Sequence, residues 1–166
     1  MKENFDYDKA LAVIERQERE LLLASFDHAV AWEMGVIARD LGASKRLPVA
    51  IQISRLDQVI FHSALEGTSR DNDDWLMRKR NVVRRYQCSS YKVGLRLRKD
   101  RLSQADLGLP IERFAAAGGG FPLNLKNFGT VGSLVISGLP EASDHDFAVS
   151  VVARFMGNEA FSSLLP

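Results

Sequence analysis

The chain has 166 residues, 46% hydrophobic and 26% charged, with 22 Lys plus Arg against 21 Asp plus Glu and a net charge of +1. One domain of this size buries about 68–70% of its unfolded surface, enough for a core without a structural metal, and Cys88, the only cysteine, excludes an intrachain disulfide framework and a Cys-rich zinc site. No run approaches the ~20 apolar residues of a membrane span, Met1 to Glu20 lacks the apolar core of an export signal, and the expected compartment is the cytoplasm.

Residues 7–23 combine good helix formers, with Asp6 or Asp8 placed as a cap and Leu11, Ile14, Leu21 and Leu22 as the apolar set. A second helix is expected from near Asp27, with Val30, Met34, Ile37 and Leu41 on one face and Gly42 at its C-terminal stop. Val49, Ile51 and Ile53 alternate with Ala50, Gln52 and Ser54, and Val59 to Phe61 is rich in β-formers. These read as a hairpin turning near Arg55 to Gln58. The polar loop Glu66 to Asn72 leads into a helix expected from about Asp73 to Tyr86, with Asp71, Asp73 and Asp74 near its positive end and Arg84 and Arg85 near its negative end.

From Ser89 to Asp100, Tyr91, Val93, Leu95 and Leu97 alternate as in a strand, while Tyr91 and Leu95 also share a helical face. The reading taken is helix. Ala115 to Gly120 opens a second hairpin, Phe121 to Leu125 and Thr130 to Ser137, turned at Lys126 to Gly129. Ser143 with Asp146 resembles a capping box ahead of Phe147, Ala148, Val151, Val152 and Phe155. The order α-α-β-β-α-α-β-β-α predicts one α/β (α+β) domain over 1–166, an antiparallel sheet covered by helices.

The near-neutral total hides an asymmetry. Residues 78–101 hold ten basic side chains and one acidic, so the remainder of the chain is mildly acidic. Trp75, Lys79 and Val82 or Val83 share one face of the 73–86 helix. One reading is a solvated helix with an acidic start and a basic end. The other is that Trp75, Lys79 and Arg80 border a pocket for an anionic planar or carboxylate-bearing ligand. An alternative role for the basic segment is to meet an acidic protein partner. Nucleic acid fits poorly, because only Trp75, Tyr86 and Tyr91 interleave with the cations and no nucleic-acid motif is present.

Catalytic and phosphate-loop signatures are absent, and His28, His62 and His145 have no metal-ligand spacing. Each histidine reads first as a surface or structurally bonded group. An enzyme using His145 near Ser143 lacks a visible nucleophile, base and orienting group. Gly118-Gly119-Gly120 marks either a chain path needing φ > 0 or a close approach, most simply a tight lead-in to the strand after it.

Four segments together carry a resemblance. They are the run Asp71 to Asn81 with its Asn-Asp-Asp-Trp, Ser89 to Gly94, Gly118 to Leu123 with Gly-Gly-x-Phe-Pro, and Gly129 to Pro140 with Asp144-His145. As a set they resemble the haem-degrading-domain-like proteins, a group related to HbpS-type haem-binding proteins and GlcG-type proteins. The resemblance covers about residues 10–158, leaving 159–166 as a tail. It implies a profilin-like sandwich on an antiparallel sheet, assembly with itself into dimers or larger homo-oligomers, haem as the cofactor to test, and the cytoplasmic branch of the group; charge and hydropathy separately argue against nucleic acid or membrane as partner. Trp75, Lys79, Arg80, Gly119, Phe121, Pro122, Gly138 and His145 match positions of the group, but no haem ligand transfers residue by residue. The candidate ligand residues are therefore Trp75, Lys79, Arg80, His62, His145, Gly119 and Phe121. The expected function is binding of a small anionic ligand, haem or another carboxylate.

Overall fold

Alternation along 49–54 sends Ile51 and Ile53 to one face of a strand and Ala50, Gln52 and Ser54 to the other, so both faces need a cover. A computed structural model, which describes residues 5–158 and Phe161, shows how both are covered. The expected tail 159–166 lies, apart from Phe161, outside the described residues. The helices are α1 (Tyr7–Glu20), α2 (His28–Ser44), α3 (Arg70–Tyr86), α4 (Ser90–Lys99) and α5 (Glu141–Phe155). The strands are β1 (Leu22–Leu23), β2 (Ala50–Arg55), β3 (Gln58–Ala64), β4 (Gly120–Leu125) and β5 (Gly129–Ser137), in the spatial order β1-β4-β5-β2-β3. All neighbours are antiparallel except β1, which runs parallel to β4.

One face packs Ile51, Ile53, Phe61, Phe121, Leu134 and Ile136 against α2 and α5 through Met34, Ala38, Phe147, Val151 and Val152. On the other face Leu76 of α3 closes over Ala50 and Val135. Helix α4 joins α3 through Val82, Val93 and Leu97, and α1 packs on α4 through Ala10, Ile14, Tyr91 and Leu95. The expected architecture holds, with the short strand β1 and a 3-10 turn at Ala105–Leu107 added.

Four boundaries differ from the sequence reading, each for a local reason. Helix α1 stops at Glu20, three residues short of the expected end. Leu21 and Leu23 belong to the sheet core, while the helix buries Ala10, Ile14 and Gln17 elsewhere. Helix α2 runs past Gly42, where a Cβ would lie 2.7 Å from Leu65. That glycine is needed for close packing, and Arg46 makes the left-handed turn (φ 51°). Helix α3 begins at Arg70 and not Asp73, because the Ser69 N–H donates to Asn72 Oδ1 (2.9 Å) and turns the supposed loop into a capped first turn. Helix α5 begins at Glu141 after Pro140, so Ser143 lies inside it. The orphan amides of Leu139 and Gly138 are taken by Asp144 (2.9 and 3.4 Å). Among the described residues no helix is long and apolar enough to cross a membrane.

The glycine run is where the halves meet. Gly119 adopts φ 127°, and a Cβ on Gly118 would sit 1.8 Å from the Glu141 carbonyl oxygen. Gly120 N–H donates to Ser90 Oγ (2.9 Å), which fastens the lead-in of β4 to the first turn of α4. Both properties expected of this run, positive φ and close approach, are present.

Candidate ligand site

Helix α3 buries Leu76, Lys79, Val82 and Val83, so a cation occupies one position of an otherwise apolar face. Lys79 is 3% exposed; its Nζ donates to Asp144 Oδ2 (2.8 Å) and to the Ile136 carbonyl (3.0 Å). Gly119 leaves the room, since a Cβ there would approach Nζ to 2.8 Å. Burial pulls the Lys79 amine below its ordinary range, against the pull of Asp144, and pushes Asp144 above its own, against the pull of Lys79. The geometry is that of a mutually neutralised pair tying α3 to β5 and to the start of α5.

Lys79 and Trp75 share a cleft of about 390 Å³ with Asp71, Asn72, Glu141 and Asp144. Three carboxylates against one paired lysine make this lining acidic on balance. Arg78 stacks on the Trp75 ring (4.1 Å to its centroid). Arg80 is not part of this cleft: its guanidinium donates to Gln52 Oε1 (3.0 Å). His62 pairs with Asp73 (2.9 Å) on the α3 side of β3. His145 is fully buried on α5, bonded to Gln17 Oε1 (2.9 Å), with the rings of Tyr91 and Phe121 at 5.3 and 6.0 Å. The seven candidates therefore divide into Trp75 and Lys79 in one cleft with Gly119 packed behind Lys79, Phe121 and His145 in the core, and Arg80 and His62 apart from both. Pro122 continues β4 beside Phe121, and Gly138 (φ 150°) lines the Trp75 cleft.

The ten cations of residues 78–101 separate in the same way. On α4, Lys92 pairs with Glu18 (2.9 Å), Arg96 with Glu15 (3.0 Å), Arg98 with Glu141 (3.1 Å) and Lys99 with Asp8. The acidic surplus of α1 thus faces the basic helix α4. The C-terminal half of α3 is different. Arg80 and Arg84 line a small cleft of about 90 Å³ with Leu56, Val83, Gln87, Thr130 and Ser133. Arg84 also joins Arg85, Arg113, Asn81 and Phe114 around a cleft of about 270 Å³. Neither lining contains a carboxylate. Asp57 reaches Arg84 (2.9 Å) from outside, with both side chains more than 60% exposed, so that pair contributes little. Arg85 and Arg113 have no ion-pair partner among the described residues. Arg113 and Phe114 had no signal in the sequence: they stand about 30 positions from α3 and are placed by the Asn81 amide donating to the Arg113 carbonyl (2.7 Å).

Two stability measurements follow. Lys79→Met strands the Asp144 carboxylate in the interior and is expected to cost about 3–5 kcal/mol in urea unfolding, with part of it recovered in Lys79→Met/Asp144→Leu. A loss below about 1 kcal/mol in the single variant would show that the pair does not hold the helices together. Burial alone pushes His145 from 6.5 to about 3. Between those values the unfolded chain binds a proton that the folded chain refuses, so stability falls as pH drops, by up to about 1.4 kcal/mol per pH unit. His145→Gln is expected to remove that part of the slope; an identical slope in both proteins would contradict it.

Comparison with known proteins agrees with this architecture. The family described as "Haem degrading protein HbpS-like" matches residues 26–153. A UPF0303 protein of Brucella anthropi is 37% identical over 100% of this chain and 99% of its own. The crystal structure of the Ybr137w protein superposes with a TM-score of 0.82 at 26% identity, covering 90% of this chain and 89% of that one. A crystal structure of a PduOC–haem complex shares the fold at 14% identity, with a TM-score of 0.66 over 78% of this chain and 94% of that one. By the family match and the full-length relative, the chain belongs to the HbpS-like haem degrading family.

Proposed function

We propose that the protein is a self-associating, cytoplasmic binder of a small anionic ligand, haem or another carboxylate, and that it holds the ligand's carboxylates with the arginines of α3. The observation that carries this reading is the convergence of Arg84, Arg85 and Arg113 with the Phe114 ring on one cleft whose lining has no acidic group. Guanidinium groups pair with carboxylates through two parallel hydrogen bonds, and a neighbouring ring offers stacking area to a planar body. Leu56, 71% exposed, lines the neighbouring cleft that shares Arg84 and would meet an apolar part of such a ligand. Lys79 is withdrawn from that task by Asp144, which moves the anion site away from Trp75. The haem-bound PduOC neighbour lends support to haem as the first ligand to try.

The test is a haemin titration followed at the Soret band, with Arg84→Glu/Arg85→Glu as the variant and haemin dimethyl ester as the ligand control. A charge-assisted hydrogen bond is worth about 1.5–3 kcal/mol, so affinity is expected to fall at least about tenfold in the variant. The ester, lacking free carboxylates, is expected to weaken similarly. A spectrum identical to that of free haemin would remove haem as the ligand. Equal affinity of wild type and variant would remove the arginine site.

A further inference from the structure

Leu76 of α3 closes over Ala50 and Val135, but nearer the β2–β3 turn the same face of the sheet becomes polar, with Gln52 and Ser54 on β2 and Ser133 on β5. Above these side chains runs the C-terminal half of α3, where Arg80, Val83 and Arg84 continue the stripe that Leu76 begins. Helix and sheet enclose the cleft of about 90 Å³ here. That is far below the roughly 300–1,000 Å³ of a site for a drug-sized molecule, so its occupant is small.

Ser54 and Ser133, 1% and 3% exposed, share one hydrogen bond (2.9 Å). When Ser54 donates it, the Ser133 O–H has no acceptor among the described residues, and Ser133 lines the cleft. A buried donor left without an acceptor is costly, and an acceptor atom in the cleft removes that cost. Thr130 does not compete for it, because its Oγ1 donates to Asn124 Oδ1 (2.6 Å). Arg80 lines the same cleft, half-buried; one guanidinium N–H goes to Gln52 Oε1 (3.0 Å), and no carboxylate pairs with it among the described residues. Burial pulls the guanidinium below its ordinary value, with Asp57 pulling the other way. A desolvated cation and a spare hydroxyl proton both call for an oxyanion. Val83, Val131 and Leu56 also line the cleft. A bare inorganic anion would leave these apolar groups unmet, whereas a carboxylate on a short hydrocarbon satisfies both parts of the lining.

We propose that this cleft is a second ligand site, for a short-chain monocarboxylate, with the carboxylate on Arg80 and Ser133 Oγ and the hydrocarbon against Val83, Val131 and Leu56. Asp57, in the β2–β3 turn, reaches Arg84 of the lining (2.9 Å) and is the chain's own carboxylate competing at the rim. The cleft of Arg85, Arg113 and Phe114 shares Arg84 with this one but does not contain Arg80, so either assignment can fail without the other.

The test is a nitrogen–proton NMR titration of the whole chain with acetate, propionate and butyrate, at an ionic strength held constant with chloride, and with inorganic phosphate alongside. Butyrate is expected to saturate in the millimolar range and to move the Arg80 Nε–H and the amides of Val83, Val131 and Ser133 most. Each methylene added to acetate is expected to tighten binding roughly two- to fourfold. Arg80→Met is expected to weaken butyrate at least about tenfold. Asp57→Asn, at an exposed position that leaves the packing alone, is expected to tighten it roughly twofold or more. The absence of a saturable shift with every carboxylate would overturn the site. So would butyrate affinity unchanged in Arg80→Met or in Asp57→Asn. Phosphate binding as tightly as butyrate, or an affinity flat along the series, would overturn the ligand class.

Discussion

The Lys79–Asp144 ion pair is the contact on which the arrangement of the molecule depends. It crosses from α3 to the first turn of α5, passes the Ile136 carbonyl on β5 on the way, and needs Gly119 for space. Asp144 also receives the two amides before α5, so one carboxylate both ends a loop and anchors a helix on the far side of the sheet. A buried pair of this kind is weak evidence for net stability against an apolar alternative. Its value here is positional: it sets the depth and rotation of α3, and through them the direction of every arginine on that helix.

That rotation divides the basic segment. With Lys79 inward, Val82 and Val83 are buried with it, and Arg80, Arg84 and Arg85 are left on the faces that border the two carboxylate-free clefts. Helix α4 spends its cations differently, on Glu15, Glu18 and Asp8 of α1 and on Glu141 of α5. The net charge of +1 therefore hides cations of two kinds: those of α4, which are paired with α1 and Glu141, and Arg85 and Arg113, which have no ion-pair partner among the described residues.

Much of the fold was readable from local pattern. The α2 cap at Asp27 and the alternation in β2 are carried by residues within a few positions of one another, as is the hairpin before Ser137. The residues that misled were those whose role is set by distant contacts. Gly42 has the composition of a helix stop but is a packing glycine under Leu65, 23 positions on. Leu21 and Leu23 continue a helical pattern in sequence yet pack into the sheet core, with Leu22 and Leu23 paired to β4. The site was less readable for the same reason. Lys79 beside Trp75 looked like a ligand cation because nothing near it in the chain announces Asp144, and Arg113 gave no sign of its neighbours on α3. Composition concentrates the cations in residues 78–101; only packing tells which of them face outward.

The central claim is that Lys79 is structural and that Arg84, Arg85 and Arg113 meet the ligand. The most direct measurement is a nitrogen–proton NMR titration with diamagnetic zinc protoporphyrin, reading backbone amides, arginine Nε–H groups and the Trp75 indole. The account predicts that the largest shifts fall on Asn81, Arg84, Arg85, Arg113 and Phe114, with Gly118 to Gly120 and the Trp75 indole nearly unmoved. Shifts centred on Trp75 and the glycine run, with the arginine signals unchanged, would contradict it.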